Sequence, residues 1–249
     1  MIEVVLSPDQ FVEKLKNIVE ENKKITHPLY QIIMKGEATS ELLKNFVLHR
    51  YHIKSFWTRN ISAIHSKTPD VETRKELAEN IYEEETGKLT GTMRHLELFF
   101  KIGEQFGLTW EDIENCDILP ESQDVIDWNN KVCGPDHHLV EAVAALIVYM
   151  EGQPPVSWDG RTMNEAMKHF YNLNKEGVQY FTIHSSHDME VEEDHAEAGY
   201  DILRKYAINE ELQEKAIMAL YKSVEVRMKH FSAILRVSGI QVEAESVMG

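Results

Sequence analysis

A chain of 249 residues with 43% hydrophobic and 27% charged side chains has the composition of an ordinary globular protein, long enough to bury a self-supporting core. Its net charge of −16 repels polyanions over the whole surface and excludes nucleic acid as a partner. The start, MIEVVLSPDQF, lacks the basic region and apolar run of a signal peptide; the most apolar stretch, residues 140–150, is too short to span a bilayer; and Cys116 and Cys133 form no CxxC spacing, so a cytoplasmic protein without membrane contact is expected.

With only 7 prolines and 12 glycines, no Ser/Gly run and no repeat, residues 1–249 read as a single domain. Ser7-Pro8-Asp9-Gln10 has the pattern of a capped helix start, followed by the apolar stripe Phe11, Leu15, Ile18. A short helix is predicted around 27–34, ended by Lys35-Gly36. Thr39 caps a long helix to about residue 66, and Asp70 opens another that ends near Gly87. Further helices are predicted over roughly 92–106, 122–132, 136–151, 162–170, 175–206 and 209–237, with short breaks between them and no alternating strand pattern. The expected fold is an all-α, compact bundle of seven to nine helices.

Ionisable residues interrupt the apolar faces of four of these helices. Leu77 and Ile81 lead to Glu84, with Glu83 and Glu85 turned roughly 100° to either side. His95 starts the face of Leu98, Phe99, Ile102 and Phe106, while Val140, Ala144 and Ile147 lead on to Glu151. The helix from 175 carries the seam Phe181, His184, Asp188, Val191, His195, Ala198, Ile202. Unpaired buried charges cost several kcal/mol, so these groups must be paired or bound to something. Taken singly, His95 reads as a hydrogen-bonded core residue, and Glu84 and Glu151 as helix-end residues. Together, three imidazoles and three carboxylates form a ligand inventory suited to two first-row transition ions. In the long helix, Arg50 sits within the seam Leu43, Val47, Trp57, Ile61, with Lys54 beside it. Its permanent charge needs a carboxylate, phosphate or quinone oxygen, either as a salt bridge or as the anchor of an acidic substrate. Tyr30, Tyr51, His52 and Tyr180 lie near the same elements.

These residues carry a resemblance to the haem-oxygenase-like superfamily, which includes the pyrroloquinoline-quinone synthases C, the TenA thiaminases and the chlamydial proteins associating with death domains. The resemblance covers roughly residues 7–237. The chain is similar to the chlamydial branch in HIKSFWTRNISAIHS (52–66), NIYEEETG (80–87), HLELF (95–99), YMEGQPP (149–155) and YFTIH (180–184). It resembles the quinone synthases in TSELLKNFVLHRY (39–51), where Arg50 matches, and at His27. The resemblance to the metal-binding branch implies Glu84, His95, Glu151, His184 and Asp188 as ligands. The final histidine of its H-x3-D-x2-H set departs: Val191 stands there, and the matching context HAEAG begins one turn later at His195, with Glu192 and His187 as alternatives. The metal-free quinone synthases carry a histidine where Glu84 stands and an arginine where His184 stands, which favours the metal branch. Neither cysteine sits in the context thiaminase activity needs.

The expectation is therefore a non-haem di-iron oxidase or oxygenase, with Fe/Fe or Fe/Mn as cofactor. It would act with O₂ on a small anionic metabolite in a biosynthetic pathway, as a homodimer. Glu84, His95, Glu151, His184, Asp188 and His195 are expected to hold the ions, and Arg50 and Tyr30 to serve the substrate. The alternatives are a metal-free oxidase of a reduced quinone precursor and a non-enzymatic helical interaction protein.

Overall fold

The computed structural model describes residues 5–151, 156, 159–184 and 189–241, with the backbone alone at 151 and 189–196. Among these the architecture is all-helical; one isolated antiparallel bridge joins Val156 and Thr162. Helix α1 (Pro8–Glu21) opens on the expected capping box, Ser7 Oγ accepting from Gln10 N while the Gln10 side chain accepts from Ser7 N. In α2 (Pro28–Lys35) the cap is His27, whose Nδ1 accepts from Leu29 N. There follow α3 (Ser40–Lys54), α4 (Trp57–Lys67), α5 (Val71–Thr86), α6 (His95–Glu104), α7 (Trp110–Glu114) and α8 (Pro120–Cys133). Next come α9 (Leu139–Ala142), a π-helical turn (Val143–Val148) and α10 (Tyr149–Glu151), consecutive in the chain. The remainder is α11 (Met163–Tyr171), α12 (Gln179–His184), α13 (Met189–Tyr206) and α14 (Glu210–Val237).

The helices outnumber the seven to nine expected because long predicted runs are divided. The run over 39–66 breaks between α3 and α4, where Ser55 Oγ donates to His52 O and competes with the helical ladder. Within the run over 175–206 the described residues are helical over α12 and α13. Residues 185–188 between them, Asp188 included, lie outside the described residues. No described helix is long and apolar enough to cross a membrane.

Two large apolar clusters and a smaller one of Ile53, Val125, Ile126 and Val226 form the core, and α14 runs through all three. Its N-terminal half places Ala216, Leu220 and Val224 with α1, α4 and the π turn. Its C-terminal half places Phe231, Ile234 and Leu235 with α2, α3, α6 and α11. A 28-residue helix is about 42 Å long, enough to serve as a common spine. Each large side chain buried along it contributes roughly 1.5–3 kcal/mol.

Helix α6 packs closely on α3 because residue 103 has no side chain. A Cβ at Gly103 would lie 2.4 Å from Leu108 Cδ2 and 3.0 Å from Val47 Cγ1. Gly103→Ala gains about 1 kcal/mol in helix propensity but overpacks this contact by about 1–3 kcal/mol. A net loss of up to about 2 kcal/mol is expected in urea unfolding; a variant more stable than the parent would show that the contact has slack.

Candidate metal centre

The centre is built from residues of three helices, α5, α6 and α12. The stripe of α5 turns Glu84 inward in the last turn before Gly87, which takes φ +63. A Cβ there would lie 2.3 Å from Met93 O, so only glycine lets the chain double back so tightly. The returning segment delivers His95 as the first residue of α6, and His184 is the last residue of α12. His95 Nδ1 lies 3.1 Å from Glu84 Oε1 and His184 Nε2 lies 3.8 Å from the same oxygen. One ligand atom from each of the three falls within 4.8 Å of the others.

Hydrogen bonding fixes which nitrogen faces the centre. His184 Nδ1 lies 2.8 Å from Tyr180 O, a carbonyl that can only accept, so Nδ1 carries a proton and Nε2 is the ring nitrogen available to a cation on the side of Glu84. His95 Nε2 lies 3.2 Å from Glu83 Oε1, and donation to that carboxylate leaves the Nδ1 lone pair facing Glu84. Buried His95 Nδ1 makes no hydrogen bond of good geometry, even at 3.1 Å from the carboxylate. A buried polar atom without a partner, aimed at two other lone-pair donors, is what a cation-binding centre requires. Burial alone would raise the Glu84 carboxyl; with no cation between the three groups, protons taken up by His184 and His95 outweigh it by hydrogen bonding and charge and hold the group well below the usual carboxylate range. For His95 burial works downward, and Glu84 and Glu83 together raise it above the ordinary imidazole value.

Glu83, which helix geometry alone turns aside, proves to hold both the imidazole and the segment leading to it. Its Oε2 accepts from Leu89 N at 2.7 Å and its Oε1 from Thr90 N at 3.3 Å, with Thr90 Oγ1 donating as well. On the other side of Glu84, Glu85 accepts from Arg94 Nε at 2.8 Å and from Thr58 Oγ1. Glu83 lay in the acidic run of the sequence, but no periodicity could assign it to His95.

Of the other expected ligands, Glu151 ends α10 and His195 lies within α13, both described by backbone only. Glu192 is likewise backbone only, and Asp188 and His187 lie outside the described residues. Arg50 is half-buried amid aromatic rings, its guanidinium carbon 4.6 Å from the centroid of Phe46, 5.6 Å from Phe99, 5.9 Å from Tyr30 and 6.0 Å from Phe231. No carboxylate among the described residues pairs with it. Lys54 donates to Tyr180 Oη, and the Tyr180 ring stacks on His184 with centroids 4.2 Å apart. Tyr51 instead turns to Phe100 and Trp110. His27 is committed to the fold: with Nδ1 capping α2, its Nε2–H donates to Ser232 Oγ at 3.0 Å.

Two outcomes follow. A divalent ion offered to the centre should bind Glu83→Gln about 10- to 100-fold more weakly than the parent, by titration, because His95 loses the carboxylate that orients it. Parent-like affinity would show that Glu83 serves the turn alone. Burial holds His27 at about 4 against a free value of 6.5. As pH falls from 7 to 5 the unfolded chain takes up the proton and the folded chain does not, so stability drops by about 2 kcal/mol from this group. His27→Asn, which keeps a capping acceptor, should flatten that part of the pH–stability curve; parallel curves would contradict the assignment.

Comparison with known proteins gives the family and the fold. Residues 44–228 match the family model described as iron-containing redox enzyme. The 4-aminobenzoate synthase of Chlamydia trachomatis serovar D is 30% identical, over 76% of this chain and 78% of its own. A pyrroloquinoline-quinone synthase of Klebsiella pneumoniae is 27% identical over 45% of this chain and 44% of its own. Among solved structures, a TenA homologue from Pseudomonas syringae pv. tomato superposes with a TM-score of 0.73 at 16% identity, covering 93% of this chain and 96% of that one. A domain with a heme oxygenase-like fold from Shewanella denitrificans gives 0.71 at 15% identity, covering 95% of each chain. The fold is haem-oxygenase-like, and the chain belongs to the family of iron-containing redox enzymes.

Proposed function

We propose that this protein is an iron-dependent oxidase or oxygenase that uses O₂ on a small anionic metabolite. The observation that carries the reading is the convergence of one ligand atom each from Glu84, His95 and His184 within 4.8 Å, with the far-side nitrogen of each imidazole held by a hydrogen bond. Glu84, His95 and His184 would hold one ion, and Glu151, Asp188 and His195 would complete a two-iron centre, in keeping with helix-bundle carboxylate proteins. Iron bound there supplies the electron transfer to O₂ that amino-acid side chains cannot.

The chain's own residues then have separable tasks. Glu83 and the Tyr180 carbonyl orient the two imidazoles. Tyr180 covers one face of His184 and keeps water from it, while Lys54 holds the Tyr180 hydroxyl. Arg50 offers an unpaired positive charge to the substrate, and Tyr30 lines the same side. The kinship with chlamydial 4-aminobenzoate synthases supports a biosynthetic role.

Anaerobic titration of metal-free protein with Fe(II) should reach about two ions per chain. Glu84→Gln and His184→Ala should each lose at least one of them while circular dichroism stays helical. Oxygen uptake should follow iron loading and stop on chelation. A folded protein that takes up no iron, or whose oxygen uptake persists after complete iron removal, would overturn the reading.

A further inference from the structure

Helix α14 carries two basic residues into the interior that the metal centre does not use. Arg227 is 5% exposed and His230 2%, in line with the apolar seam Leu220, Val224, Phe231, Ile234. Arg227 Nη2 donates to Asn129 Oδ1 at 3.4 Å, its Nε has no partner, and no carboxylate among the described residues pairs with it. His230 Nδ1 lies 3.1 Å from Ser122 Oγ, and its Nε2 has no partner. Facing them from α2 is Tyr30, 1% exposed, whose hydroxyl also makes no hydrogen bond.

Phe231 fixes how these groups meet. One turn beyond Arg227 on the same face, it lies 5.2 Å from the Tyr30 ring and 6.0 Å from the Arg50 guanidinium. The Arg50 guanidinium lies 5.9 Å from the Tyr30 ring, and that of Arg227 lies 5.9 Å from the Tyr149 ring; burial, opposed by Tyr149 and reinforced by Arg50, lowers Arg227 to about 10. Burial also holds His230 neutral, with Arg50 and Arg227 adding to the effect. Two guanidiniums whose charges act on one another, one fully enclosed and neither paired with a carboxylate among the described residues, are costly to the fold. Three unpartnered polar atoms beside them add to that cost. A structural salt bridge would carry its own carboxylate; this one lacks it.

We propose that Arg227, Arg50 and Tyr30 form a binding site for the carboxylate of an organic anion, with His230 as a further donor. Guanidinium forks match a planar carboxylate, the Tyr30 hydroxyl donates to it, and a Ser122 hydroxyl bonded to Nδ1 leaves His230 with an Nε2–H to offer. The rings of Phe46, Phe99 and Phe231 lie around the Arg50 guanidinium. The Phe99 ring lies 5.1 Å from that of Tyr180, which stacks on His184, so the anchored end is separated from the metal centre by two rings. A substrate held there by its carboxylate would direct its other end toward His184; this last point rests on the reading given above, whereas the anion site itself does not.

The test uses chelator-treated, metal-free protein, so iron binding does not enter. Formate, acetate and benzoate are titrated by calorimetry and by thermal unfolding, against acetamide, benzamide, chloride and inorganic phosphate. At least one carboxylate should bind saturably and raise Tm, with its amide inert. Arg227→Met should weaken that binding at least tenfold and Tyr30→Phe several-fold. Without ligand, Arg227→Met should be as stable as the parent or more so, because an uncompensated buried charge is gone. The proposal is overturned if no carboxylate binds, if chloride or phosphate binds as well as the best carboxylate, or if Arg227→Met retains full affinity. An Arg227→Met protein that is markedly destabilised or fails to fold would also overturn it, since the arginine would then be structural.

Discussion

Two imidazole nitrogens and a carboxylate oxygen whose lone pairs point at one another repel unless a positive charge lies between them. That constraint governs the centre formed by Glu84, His95 and His184. A proton meets it in part, which is why His95 is raised and Glu84 depressed relative to free side chains. A metal cation meets it in full, because it is shared by all three donors at once. The arrangement is tolerable only where the far nitrogens are anchored, and Glu83 and the Tyr180 carbonyl do this.

The rest of the fold can be understood as support for that geometry. The donors stand in the last turn of α5, at the N-terminus of α6 and in α12, so small errors in helix packing would misplace them directly. Gly87 and the Glu83-held turn set the return from α5 to α6. Gly103 lets α6 sit against α3 without an intervening side chain. Behind these, α14 joins two apolar clusters into one body, and its burial holds α3 in place relative to α8 and the π turn.

Charge is distributed unevenly. The chain carries a net −16, yet its interior beside Tyr30 is cationic, with Arg227 enclosed and Arg50 half-enclosed. Carboxylates are gathered on the side of Glu83, Glu84 and Glu85 instead. Phe99 and Tyr180 stand between the two regions. Such separation keeps the arginines from being neutralised by the carboxylates that the metal centre needs.

The sequence by itself determined the helical class, most helix starts, and the inward direction of Glu84, His95, His184 and Arg50, because each of these is written in local caps and in a 3.6-residue period. The same test of polar residues within apolar seams would also have singled out Arg227, which falls between Val224 and Phe231. The π turn over Val143–Val148 left no mark, since a segment buried on all sides has no polar face whose period could change. The break at Ser55 was equally hidden, decided by one side-chain hydrogen bond that competes with the ladder. Only the tertiary structure decided that Glu83 serves His95, which nitrogen of each imidazole faces Glu84, and that Arg50 has aromatic rings rather than a carboxylate around it. Those are relations between segments distant in the chain, set by how helix ends meet, and no spacing along one helix can encode them.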